Sequence, residues 1–213
     1  MCLMREAARL MRLDPNQPGP ALQLLKESLQ LCAELSLGSL TRPCSFSRSG
    51  AFFLVDGVPV PGQSLPRHLE GCREGLLIGA TLGIEADRLL KARSLLGLTH
   101  AAAMQAALSA RLEQGVDELC DRLSGERPGY HLTPRFSPGY GDLPLSYQNF
   151  IFQQLQMGRL GVSLTPGLMM VPTKSITALA GWRAGAPCQT ARSCARCPDL
   201  RCPYREEDAH EIS

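Results

Sequence analysis

Residues 135–145 read Arg-Phe-Ser-Pro-Gly-Tyr-Gly-Asp-Leu-Pro-Leu. Pro138 and Pro144 bar this stretch from regular helix and from a central strand. Gly139 and Gly141 let the backbone take positive φ or come close to another group. An irregular, stiff loop must therefore interrupt the chain here, with separate elements on either side. Its chemistry suits a zwitterionic small molecule: Arg135 can fork onto a carboxylate, Tyr140 can stack or hydrogen-bond, and the glycine amides can face a ligand. A plain connection, with Arg135 on the surface and Tyr140 capping the core, accounts for the same residues.

The remaining composition bounds the class. The chain has 213 residues, 44% of them hydrophobic and 20% charged, enough for one sizeable core or two small ones. A net charge of +2 gives no reason to expect nucleic acid or an anionic membrane as partner. No uninterrupted run of about 18 apolar residues occurs, so no membrane span is expected. Residues 1–13 form an amphipathic pattern broken by Arg5, Arg9 and Arg12, unlike the apolar stretch of a signal peptide. The expected compartment is the cytoplasm.

Periodicity and breakers predict the elements. Asp14 to Pro20 is a breaker-rich linker, and Ala21 to Leu37 carries leucines at three- and four-residue steps, a helix that Gly38 stops. Phe52–Val55 and Val58–Val60 are short strands joined by the hairpin dipeptide Asp56-Gly57, with Pro59 placing the second at an edge. Ser64 is expected to cap a short helix through Cys72. Gly75 to Gly83 is a buried strand whose small residues admit a helix or a ligand close to the backbone. Helices follow over 84–96 and 99–123. The second bears an apolar stripe of Met104, Leu108, Leu112, Val116, Leu119 and Leu123, and its Glu113, Asp117 and Asp121 read as a solvated face. A short helix over 146–155 precedes three strands, 162–165, 168–171 and 175–182, whose tight turns favour antiparallel neighbours. The fold class is α+β, helices around a mostly antiparallel, twisted sheet. Three segments are expected: an N-terminal helical part (1–50), a ligand-binding domain (51–185) and a Cys-rich tail (186–213).

Familiar catalytic signatures are absent. Gly139-x-Gly141 lacks the third glycine and the strand–helix setting of a dinucleotide site. There is no P-loop and no Gly-x-Ser-x-Gly elbow. His68, His100, His131 and His210 show no metal-ligand spacing and read as surface or packing residues, His131 being notable for preceding the Arg135 loop. Cys188, Cys194, Cys197 and Cys202 form a Cys-x5-Cys-x2-Cys-x4-Cys cluster able to hold zinc or an iron–sulfur cluster. Its spacing matches neither standard pattern, and reduced, unligated thiols are the plainer alternative. Arginines interleaved with the cysteines would favour thiolates.

From Arg135 to Trp182 the sequence resembles the activation, S-adenosylmethionine-binding domain of cobalamin-dependent methionine synthase. Arg135-Phe136-Ser137-Pro138-Gly139-Tyr140 is similar to that family's Arg-Pro-Ala-Pro-Gly-Tyr loop. Leu164-Thr165 and Met170-x-Pro172-x-x-Ser175 resemble its Leu-Thr and Met-x-Pro-x-x-Ser strand pair. Leu69-Glu70-Gly71-Cys72 and Ala80-Thr81-Leu82-Gly83 look like stand-alone members, so the resemblance covers roughly residues 65–182. It implies that Arg135 and Tyr140 contact S-adenosylmethionine, with Ser137 and Gly139 lining the same site through their backbone. The family's further acidic ligand has no assigned counterpart among Asp56, Glu70 and Glu74. Asp142 lies outside the matched loop and reads as a local cap. The implied role is a reactivation subunit serving cobalamin on a separate corrinoid protein or split methionine synthase, with an electron donor of flavodoxin type. Such a subunit is a component of a methyltransferase system rather than a complete enzyme. The alternative is a non-catalytic binding or redox-sensing module stabilised by zinc or an iron–sulfur cluster.

Overall fold

The computed structural model describes residues 3–185. Its helices are α1 (Leu3–Leu10), α2 (Pro20–Cys32), α3 (Ser64–His68), α4 (Ile84–Ser94), α5 (Leu98–Gly125) and α6 (Gln148–Leu155). Its strands are β1 (Gly38–Ser49), β2 (Phe52–Val55), β3 (Val58–Pro59), β4 (Glu74–Thr81), β5 (Tyr130–Leu132), β6 (Ser163–Leu164), β7 (Met170–Val171) and β8 (Ser175–Ala184). Six strands form one sheet in the order β3-β2-β1-β4-β8-β5, every pairing antiparallel. The α+β class with a mostly antiparallel sheet is the fold observed.

Strand alternation divides the core between the two faces of this sheet. On one face Leu76, Ile78 and Ala80 of β4 and Ala180 and Trp182 of β8 meet α1, α2 and α5. Those contacts include Ala7, Leu25, Met104, Leu108 and Val116. On the other face Leu77 and Leu179 join Phe46, Phe53, Val55, Leu65 and Leu69 with Ile151 and Leu155 of α6. Small residues in β4 bring α6 onto the sheet. A Cβ at Gly79 would lie 2.3 Å from Met157 Sδ and 2.9 Å from Leu155 Cδ1, closer than real contacts allow. A helix thus approaches the β4 backbone as closely as its small residues allow.

The Asp56-Gly57 hairpin forms as expected, with positive φ at both residues (49° and 80°), and β3 is the edge strand. The strand over 38–49 was not foreseen. Pro43 and four serines in this stretch argue against a strand by composition. The reason it forms lies in the register. Residues 38–45 pair only with β4 and residues 46–49 only with β2, so Pro43 sits where one side of the strand has no partner and its missing N–H costs no ladder bond. The division drawn at residue 50 thus falls in the turn between two paired strands.

The third expected strand pairs differently from its chain neighbours. β6 and β7 form a two-stranded ribbon of their own, whereas β8 lies between β4 and β5. Side-chain bonds at the turn after β7 explain the departure. Ser175 Oγ donates to Pro172 O (2.7 Å) and lies 2.8 Å from the Thr81 hydroxyl, and the backbone N–H of Thr173 donates to the Asp87 carboxylate at 3.1 Å. The buried Lys174 ammonium donates to Ser109 Oγ at 2.8 Å, and burial lowers its pKa. The Met-Pro-Ser turn therefore carries the chain onto the sheet; its polar groups are engaged within the fold.

Candidate functional site

After β5 the chain continues along β8 as an irregular edge. Thr133 N–H donates to Gly181 O at 2.8 Å, and the Gly181 N–H donates to the buried Thr133 hydroxyl at 2.9 Å. Phe136 and Leu179 exchange backbone bonds of 2.8 and 2.9 Å. Consecutive side chains on an extended edge point to opposite faces. Phe136 accordingly packs with the α6-side core and tilts against the His68 ring at 5.2 Å. Arg135 turns the other way, toward α5.

There the guanidinium meets two carboxylates. Arg135 Nη2 donates to Glu113 at 2.6 Å and Nη1 to Asp117 at 2.6 Å, with the Cys120 sulfur 4.0 Å from Nη1. Residues 113, 117 and 120 recur at helical spacing and so share one face of α5. The Arg135 side chain is 16% exposed, against 42% and 41% for the two acids. Burial works against its charge, but the bond it donates to Asp117 and the fields of Asp117 and Glu113 outweigh it and hold the pKa above the ordinary arginine value. The expectation that Glu113 and Asp117 form a merely solvated face is corrected: both are ion-paired. Asp142 also differs from its expected role.

Asp142 is a long-range cap rather than a local one. Its carboxylate accepts the backbone N–H of Gln63 at 2.7 Å and of Ser64 at 2.8 Å, closing the start of α3 from 78 residues away. Ser64, expected to cap that helix itself, instead presents its hydroxyl to the Asp142 N–H at 3.3 Å. Gly141 has φ 55°, and a Cβ there would lie 2.5 Å from Ser64 Oγ, so this close approach requires glycine. The amides of Gln63 and Ser64, with the Ser64 hydroxyl, lower the Asp142 pKa from 3.8 to about 2. Because the folded-state value is the lower one, this cap stabilises the fold above the unfolded carboxylate pKa. That contribution disappears as pH falls toward about 2. Asp142→Asn is expected to lower the urea midpoint at pH 6, and the gap from wild type should close progressively between about pH 4 and pH 2. A gap that is constant with pH would show that the carboxylate's charge is not what holds α3.

The loop residues named from sequence are placed unevenly. Tyr140 is 67% exposed at the tip of the turn, with its N–H on Ser137 O at 3.2 Å. The Gly139 amide donates to Leu143 O at 2.9 Å, with φ 93°, so it serves the turn. Arg135 lies on the α5 side of the edge, and the Gly139–Asp142 turn packs by α3 on the other. His68 is a packing residue whose Nε2 lies 2.6 Å from Pro134 O, and burial lowers its pKa. His131 Nδ1 sits 2.9 Å from Gly185 O at the end of β8. Sequence reasoning missed Glu113 and Asp117. Their only signal was a carboxylate pair four residues apart on the helix that precedes the arginine.

Among the described residues no group of three or more His, Cys, Asp or Glu side chains could hold a metal ion. Cys188, Cys194, Cys197 and Cys202 lie outside the described residues. Cys32, Cys44 and Cys72 are buried free thiols, and burial raises their pKa values, as it does for the partly buried Cys120. Among the described residues no helix is long and apolar enough to cross a membrane.

No family model matches this sequence, and neither does any curated protein. Among solved structures the chain is similar to the crystal structure of the MetH reactivation domain bound to AdoHcy. The two share 16% sequence identity and superpose with a TM-score of 0.63 over 88% of this chain and 77% of that one. At this identity the likeness is one of fold.

Proposed function

We propose that the chain binds S-adenosylmethionine at the sheet edge beside Arg135. As a reactivation subunit it would support reductive methylation of cobalamin on a separate corrinoid protein or methionine synthase. The observation that carries this reading is the fold shared with a reactivation domain whose crystal structure holds AdoHcy. The Arg135–Tyr140 loop, similar to the loop of that family, supports it from the sequence.

The donor set fits the amino-acid end of the ligand. A guanidinium has five N–H donors, and the bonds to Glu113, Asp117 and the Cys120 sulfur occupy three. The remaining donors suit an α-carboxylate, while the half-exposed acids on either side suit an α-ammonium. The exposed Tyr140 ring offers a face for the adenosyl part. No general base is required, because the chain's contribution is to hold and orient a methyl donor; a reduced cobalamin on the partner would supply the nucleophile. An electron donor of flavodoxin type would complete the system.

Isothermal calorimetry of the whole chain with S-adenosylmethionine tests this. A saturable isotherm with one site is expected. Absence of heat and of any thermal-melt shift up to about 1 mM ligand, where a useful site must already bind, would remove the proposal.

A further inference from the structure

The cluster on which Arg135 rests is not neutral. One guanidinium meets two carboxylates at 2.6 Å each, a local charge of −1, and Asp121 adds another acid one turn further along α5. The α-carboxylate and α-ammonium of either form of the ligand cancel. What remains is the sulfonium: S-adenosylmethionine carries net +1, and the thioether left after methyl transfer carries none. We propose that Glu113 and Asp117 make the site select the methyl donor by charge, holding S-adenosylmethionine more tightly than S-adenosylhomocysteine. This rests on the reading of the site given above and adds its specificity.

The geometry favours such discrimination. Arg135 is largely buried, so water screens the cluster less than it would a surface pair. Arg135 also fixes both acids in place without cancelling their combined charge. After transfer, the product loses this attraction while keeping its amino-acid contacts. The same two side chains that help dock the donor thereby favour release of the spent form. The acids are each about two-fifths exposed, which limits the effect to a preference of about fivefold.

Calorimetric titration of wild type, Asp117→Asn and Glu113→Gln with both ligands decides it. An analogue bearing a protonated amine in place of the sulfonium separates charge from sulfur. Wild type is expected to bind the donor and the amine analogue about fivefold tighter than the thioether, less so at about 0.5 M salt. Each amide variant should bring the ratio toward one, with circular dichroism confirming a native spectrum. Equal wild-type affinities for donor and thioether would overturn the charge selection and leave the binding site standing. A preference unchanged in both variants would overturn the role of these two acids. Binding of no ligand by wild type would overturn the site itself, and the selection with it.

Discussion

Arg135→Met is expected to weaken S-adenosylmethionine binding by about 100-fold or more. That corresponds to loss of a charge-assisted hydrogen-bond pair worth about 3 kcal/mol. The substitution keeps much of the aliphatic stem that lies against α5 but removes every donor. It also leaves Glu113 and Asp117 facing each other four residues apart on one helix, without the cation now 2.6 Å from each. Like charges at that spacing repel, so some loss of stability should accompany the loss of affinity. Since both acids are partly exposed, water screens much of that repulsion, and about 1 kcal/mol is the expected scale. Arg135→Lys should fall between the two proteins, restoring the charge without the planar fork. Affinities measured by calorimetry, beside urea midpoints for each variant, separate the two effects. A methionine variant that binds as tightly as wild type would remove Arg135 from the site and leave it a pin between the sheet edge and α5.

How much of this could be read from residues alone depends on where each element takes its partners. β4 announces itself as a short continuous apolar run and α5 by apolar residues repeating at the helical period, and both are central to the core. The Asp56-Gly57 turn is equally plain, since few other dipeptides tolerate two positive φ values. β1 is the opposite case. Its proline and serines look unfit for a strand until the register shows that Pro43 needs no partner on its second side. The edge beyond β5 hides for a similar reason: Thr133 and Pro134 break the pattern, and the bonds to β8 are made by backbone groups and the Thr133 hydroxyl. For the site, Arg135 and Tyr140 stood out through an unusual loop. Glu113 and Asp117 did not, because an acid on the polar face of an amphipathic helix looks the same whether it meets water or an arginine from 18 or 22 residues further on. Asp142 misled differently. A carboxylate beside a turn reads as a local cap, and nothing local reveals that it reaches α3.

Leu179→Ala is expected to produce the complementary outcome, a large loss of stability with little loss of affinity. The Leu179 side chain is fully buried in the core on the α6 side, paired across the sheet with Leu77. Truncation there should cost about 2–5 kcal/mol, the transfer of the lost methyl groups plus an unfilled cavity. Against a total stability of about 5–15 kcal/mol, that lowers the urea midpoint severely, with an unchanged slope if the folded state keeps its shape. The backbone of residue 179 would still exchange its bonds with Phe136, and those bonds tie the loop to the sheet. Arg135 leaves the edge on the opposite face, toward α5, so the cavity opens away from its carboxylate partners. Titration at low temperature, where the variant remains folded, should therefore give an affinity within about threefold of wild type. A collapse of affinity comparable to that of Arg135→Met, in protein with a native spectrum, would show that packing beneath Phe136 sets the position of Arg135. The position of Arg135 would then depend on both faces of the sheet, and could not be assigned to its partners on α5 alone.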